Sequence, residues 1–265
     1  MGQSPTKITK QWADSPFQLL ETPRKRCNIT DLKTEPKSIC AATEMALIHN
    51  VFIRILNCIY LQAPNISPSN PKDVKDFAIF MRAWCITIHE HHGNEEKYFF
   101  PWLEKEIGKE GFMEKNVVQH HAFNPGLEKF ENYVESLREG KEEFDGERVV
   151  SLIDGFGTTL TDHLKDEIVT FEALEEYEGV IDWKAWNQML QDIALKTADT
   201  AYEIPVVMTN FDVPFEAPYH QAVWPTIPWY AMIVFRWVYI PRNKGAWRFS
   251  CCDSYGIPKE LEFVD

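Results

Sequence analysis

Long uninterrupted apolar runs are missing from this 265-residue chain. The N-terminal MGQSPTKITK has no apolar stretch, so no secretory signal peptide is expected. One strongly apolar segment, residues 223–240, is broken by Pro225, Pro228 and Arg236. A membrane span needs about 20 apolar residues, so no transmembrane segment is expected, and these residues read as a buried strand or extended segment. Excess positive charge is missing too. The formal net charge of -13 repels nucleic-acid phosphates and anionic membrane surfaces, which sets nucleic acid aside as a partner. Of the six cysteines, no two are spaced as C-x-x-C, and a chain of this length needs no disulfide staples. Reduced thiols and a cytoplasmic location are expected. Gly2 and Thr6 match the short N-myristoylation pattern, which would add only the marginal attachment of one acyl chain. There is no Gly-rich nucleotide loop, no fixed-period repeat and no low-complexity tract.

What is present is a globular composition, 45% hydrophobic and 13% aromatic, ample for a sizeable core. Residues 1–39 are polar and proline-punctuated and read as an irregular arm. From about residue 40, Met45, His49, Phe52, Leu56 and Tyr60 recur at helical spacing until Pro64, Pro68 and Pro71 mark a loop. A second helix starts at the N-cap Asn70 and presents Phe77, Phe80, Trp84, Ile88, His91, Glu95 and Tyr98 on one face. Pro101 kinks or restarts it, and Gly108 and Gly111 end it. A third helix, from about Phe112 to Leu137, contains Pro125, where a local break is expected. A fourth runs from about Asp145 to Glu178, with Gly179 as its C-cap. A short fifth covers about Asp182 to Leu195. Beyond residue 200, proline, aromatic and β-branched residues predict extended and turn structure packed on the rest. The expected fold is all-α. An antiparallel up-down four-helix bundle spans residues 40–178, with a short helix and an irregular, aromatic-rich extension over 179–265.

The chemistry lies in the histidines. Seven of the eight fall between residues 49 and 163, in four clusters, one on each bundle helix. His91 with Glu95, and His163 with Glu167, are each separated by one helical turn and so share a face. Each pair can bind one metal ion, or one ion plus a bridging position. His49 and His120 lie on the inner stripes of the other two helices. A lone inward histidine is usually a satisfied core residue. Two inward carboxylates, each a turn from an inward histidine, point instead to cations, because an unpaired buried carboxylate costs several kcal/mol. A buried His–Glu network without metal is the alternative. Imidazole and carboxylate donors suit iron, and manganese or a mixed pair uses the same ligands. Zinc prefers a closed, thiolate-rich tetrahedron. His92 and His121 sit beside ligand positions and should point sideways, and with Glu96 and Asp166 they are expected to back the ligands rather than bind metal.

The segment His91-His92-Gly93-Asn94-Glu95-Glu96, followed by Phe100-Pro101, resembles the His-x-x-x-Glu signature of hemerythrin-like, HHE-type cation-binding domains. His163-Leu164-Lys165-Asp166-Glu167 is similar to its second copy, and His49 and His120 match the histidines of the first and third helices. The tail, with Trp247-Arg248-Phe249 and Cys252-Asp253-x-x-Gly256-x-Pro258, is similar to the tails of fungal members. The resemblance implies two iron ions bridged by the two glutamates, with His49, His91, Glu95, His120, His163 and Glu167 as ligands. One position departs from the pattern. Where oxygen-carrying hemerythrins place a second histidine one turn along the third helix, this chain has Asn124. Either Asn124 or a nearby acid fills that place, or it is left to water or substrate.

Two functions follow. The first is an oxygen-dependent non-haem di-iron oxidase or oxygenase acting on a small organic molecule, with Tyr219, His220, Trp224, Trp229 and Tyr230 walling a pocket or simply covering an apolar face. The second is a non-catalytic hemerythrin-like oxygen or iron binder serving storage or sensing. Dioxygen is the expected partner of both. A metal-free scaffold is the weaker third.

Overall fold

A computed structural model describes residues 12–220 and 227–264; Gly2 and Trp224 lie outside the described residues. Among the described residues the chain is mostly helical and has no strand, only one isolated bridge between Cys252 and Pro258. Four helices make the bundle: α1 (Lys37–Gln62), α2 (Pro71–Asn94), α4 (Glu114–Arg138) and α6 (Gly157–Glu172). Between them lie α3 (Phe100–Ile107) and α5 (Gly146–Asp154). Helix α1 neighbours α2 and α6, and α4 closes the square by packing on the same two.

The core divides into two apolar clusters, and their order along each helix gives the direction of the chain. Helix α1 passes from Ala42 and Ala46 in one cluster to Phe52 and Ile59 in the other. Helix α2 begins in the second, at Phe77, and its continuation α3 ends in the first, at Leu103. Helix α4 repeats the order of α1, from Met113 to Phe130, and α6 repeats that of α2, from Leu160 to Phe171. The bundle therefore runs up-down-up-down. His49, His91, His120 and His163 all fall where the chain crosses from one cluster to the other. A polar layer is thus set between two apolar ones.

Local sequence explains the element ends. The Asn70 side chain accepts the Asp73 N–H at the start of α2, with Pro71 at the first helical position. Gly108, at φ 66°, takes the left-handed conformation that ends α3. Pro101 acts one turn upstream of itself. Its ring would collide with the carbonyl four residues back, so Glu95–Phe99 widens into a π-helical turn in which the Phe100 N–H reaches the Glu95 carbonyl. Pro125, by contrast, does not break α4, which runs through it.

The fourth helix is not continuous. Gly155 and Phe156 separate α5 from α6, and a 3-10 turn over Ala173–Tyr177 takes the place of its expected last turns. The interruption lets Phe156 pack against Trp84 and Phe130, with ring centroids 5.9 and 6.0 Å away. Residues 200–265 also differ from the extended reading. They contain short helices at Glu203–Met208 and Trp229–Val234, the second continuing as a π turn over Phe235–Tyr239. That segment is apolar on both faces, which hides helical periodicity in the sequence.

Described residues on both sides of the bundle are tied to it. Asn50 and Asn57, buried on α1, bond the backbone of Leu20 and of Ala13 and Phe17. Phe249 meets Phe77 edge-on with ring centroids 4.9 Å apart, and its carbonyl accepts from Gln62. All six cysteines are free.

Gly126 on α4 faces the α5–α6 junction so closely that a Cβ there would lie 2.6 Å from the Phe156 Cβ. Gly126→Ala should destabilise the protein by about 1–3 kcal/mol, read as a lower denaturant midpoint with unchanged slope.

Candidate metal centre

Helix α2 stands at a corner of the bundle, between α1 and α4. Successive residues on a helix are about 100° apart, so two neighbours at a corner can serve two different partners. His91 turns towards α1, where its Nε2 lies 3.1 Å from that of His49. His92 turns the other way, its ring centroid 4.4 Å from that of His120 and 5.2 Å from that of His163. His120 and His163 in turn bring their Nε2 atoms to 3.0 Å. The result is two adjoining groups of potential donors: His49, His91, Glu95 and Glu167 in one, and His92, His120 and His163 in the other.

The two carboxylates lie between the groups. Glu95 Oε1 is 3.0 Å from His91 Nε2, and its Oε2 is 3.7 Å from His120 Nε2. Glu167 Oε2 is 3.4 Å from His49 Nε2 and 3.8 Å from His163 Nε2. All four oxygens are buried and none makes a hydrogen bond; His92 Nε2 is in the same condition.

Behind the rings, hydrogen bonds fix the tautomers. His49 Nδ1 donates to the Leu164 carbonyl at 2.9 Å, and His120 Nδ1 donates to Glu96 Oε1 at 2.7 Å. His163 Nδ1 faces Gln119 Oε1 at 3.4 Å, and Gln119 is held by Asp166. These bonds place the proton on Nδ1 and leave the Nε2 lone pair facing inward. Two such lone pairs at 3.0 Å repel unless a cation lies between them. Donors about 2.1 Å from one ion lie about 3.0–3.4 Å apart, so these nitrogens are close enough to share a cation.

Electrostatics lead to the same point. Burial pushes Glu95 and Glu167 well above the usual carboxyl range, Glu96 adding to the first and Glu95 to the second. Burial pushes His91 down to about 4 and His163 to about 2, and drives His49 and His92 well below the ordinary imidazole value. On its own the site is a set of neutral acids and bases with unmet lone pairs. This donor set fits metal cations.

The structure gathers His49, His91, Glu95, His120, His163 and Glu167 at one place. It also alters the expected surroundings. His92 does not point sideways but joins the His120–His163 group. The doubled His-His followed by doubled Glu-Glu was the sequence signal for a helix serving two neighbours. Glu96 backs His120 as expected, and Asp166 acts one residue further out, through Gln119. His121 is exposed, and so is Asn124; the inward residue at that turn is Phe123, so Asn124 is neither ligand nor open position.

A cavity of about 200 Å³ opens beside His91 and Glu95. Its outer wall is not formed by Tyr219, His220, Trp229 and Tyr230. It comes from α7 (Trp183–Thr197) and α8 (Glu203–Met208), through Leu190, Ile193, Glu203 and Val207. His220 is buried against Arg24, whereas Trp229 and Tyr230 face solvent.

Two measurements test this site. His163→Ala should lower metal affinity at least about tenfold, by direct metal analysis. In the metal-free fold, Glu167 keeps a proton that the unfolded chain releases above about pH 4.5, so its share of stability is complete in acid and is lost as pH rises. The histidines oppose this: they stay neutral where the unfolded chain protonates below about pH 6.5, so their share is lost as pH falls. Glu167→Gln removes only the first effect. In chelator, its thermal midpoint should gain on the parent as pH rises from about 5 to about 8, while metal uptake falls. A difference flat with pH would mean that Glu167 is ionised in the metal-free fold.

Comparison with known proteins agrees with the geometry. Residues 40–174 match the hemerythrin HHE cation binding domain. The Dimeric xanthone biosynthesis cluster protein R11 of Cryptosporiopsis sp. (strain 8999) is 33% identical over 261 residues, covering 97% of this chain and 95% of that protein. No solved structure matches the chain. With its match spanning the whole four-helix bundle and every histidine of the polar layer, the chain belongs to the hemerythrin HHE cation-binding family.

Proposed function

We propose that the polar layer holds two iron ions, with His49, His91, Glu95, His92, His120, His163 and Glu167 as their ligands, and that the protein uses them to oxidise a small organic molecule with dioxygen. The observation that carries this reading is the pair of buried carboxylates, four oxygens without a hydrogen bond, set between two groups of inward Nε2 atoms. Iron bound there would supply the one-electron steps that dioxygen chemistry needs.

The chain's own residues divide the work unequally. Three imidazoles serve the group formed by His92, His120 and His163, and two serve the group formed by His49 and His91. The cavity reaches the second group, where the protein offers fewer imidazoles and both carboxylates. Phe52, Phe99, Ile193 and Val207 make that approach mostly apolar, which favours a small hydrophobic guest and limits water. Glu203 adds one carboxyl on the outer wall, its affinity for a proton raised by burial. Glu96 and the Leu164 carbonyl hold His120 and His49 in the tautomer that can ligate. The relative named for a dimeric xanthone biosynthesis cluster supports an enzymatic role in making a small organic product.

Ferrous iron supplied without oxygen should load to about two ions per chain. Less than about half an ion per chain would leave the metal-free scaffold as the better reading. Mixed with dioxygen, the loaded protein should oxidise irreversibly, and faster with a simple phenol as probe. Uptake that reverses under vacuum and ignores the phenol would establish a carrier instead. Ile193→Trp, which fills the cavity, should leave the iron content unchanged and slow only the phenol-dependent reaction.

A further inference from the structure

Residues 229–239 form a short helix and a π turn that carry apolar side chains on both faces. The inner face, with Met232 and Phe235, packs on the core. The outer face repeats every four residues: Trp229 and Tyr230, then Ile233 and Val234, then Trp237 and Val238. Trp229 and Trp237 are each 74% exposed. An apolar helical stripe that a protein leaves in water marks an interaction site.

The surrounding charge indicates what the stripe meets. The chain carries -13 overall, yet residues 217–252 contain no aspartate or glutamate, and Arg236, Arg242, Lys244 and Arg248 are their charged residues. Arg248 is committed to Asp73 and Glu262. Arg236 donates to the Ser254 carbonyl and lies over Tyr255, and Arg242 lies over Tyr239. Arg242 and Lys244 are exposed at the C-terminal end of the stripe. The acids that reach this segment, Asp73, Asp76 and Glu262, are paired with Arg248, and Asp76 also with Lys72; charges more than about 8 Å away are largely screened at physiological salt. Locally the surface is apolar, rich in tryptophan and tyrosine, and basic at one end.

We propose that this helix docks flat on a membrane surface containing anionic phospholipid. Tryptophan and tyrosine settle at the level of the lipid headgroups, and basic side chains add attraction to anionic lipid. A second copy of the chain is the poorer occupant. The stripe is one helix wide, about 15 Å by about 10 Å, against the roughly 800 Å² per partner that a standard protein interface covers.

The full chain should co-sediment with phosphatidylcholine vesicles carrying about 30% phosphatidylserine, and less with phosphatidylcholine alone. The double variant Trp229→Ala, Trp237→Ala should lose at least about tenfold of that partition while keeping the parent circular dichroism and thermal midpoint. Arg242→Glu with Lys244→Glu should abolish the preference for phosphatidylserine. The proposal is overturned if the parent ignores both vesicles or if the tryptophan variant binds as well as the parent. It is also overturned if sedimentation equilibrium shows a dimer that the tryptophan variant splits.

Discussion

Two carboxylates buried without hydrogen-bond partners are the constraint on which the rest of the structure depends. Glu95 and Glu167 are 4% and 0% exposed, deep enough that an ionised form costs several kcal/mol unless charge of the opposite sign is near. Among the described residues their charge partners are imidazoles, which burial keeps neutral, and neither is paired with a lysine or arginine. Cation binding relieves both deficits, giving the carboxylates a counter-charge and the Nε2 lone pairs an acceptor. The apolar clusters on either side contribute by excluding water that would otherwise weaken every one of these interactions.

Helix α2 meets this constraint through its place in the bundle and through a local fault. At a corner it faces α1 and α4 together, so adjacent histidines serve separate neighbours. The π turn that Pro101 forces begins at Glu95 and carries Glu96 with it. Glu95 enters the polar layer and Glu96 reaches the back of the His120 ring. A proline six residues downstream thus shapes the carboxylate side of the site without touching it.

Much of this was legible in the sequence, and what was not has definite causes. Helices α2, α4 and α6 showed because each buries one stripe and leaves the other face polar, whereas α1, buried on nearly every side, showed through its length and the prolines that end it. His91–Glu95 and His163–Glu167 showed because a helix places residues four apart on one face. His92 reads as a residue backing the ligands when a helix presents one inward line, whereas a corner helix presents two. Asn124 was misplaced by counting one turn from His120; Phe123 holds the inward position instead. The break at Gly155–Phe156 depends on the close approach of Gly126, a contact between helices that no local pattern encodes. The helix at 229–239 was hidden because it is apolar all round, and such a segment looks alike as strand or helix.

The C-terminal extension changes the character of the bundle. A bare four-helix core would leave the His49–His91 side open between α1 and α2. Helices α7 and α8 cover that side, and α8 packs on α2. The covering stops short of closure and leaves the cavity beside His91 and Glu95. At about 200 Å³ the chamber is smaller than the usual ligand pocket of about 300–1,000 Å³, and its lining mixes apolar side chains with Glu95, Glu203 and His91. The extension therefore decides what reaches the donors, whereas the bundle decides what the donors hold. A shared fold does not by itself fix function, and under the reading proposed above the outer layer sets what reaches the donors.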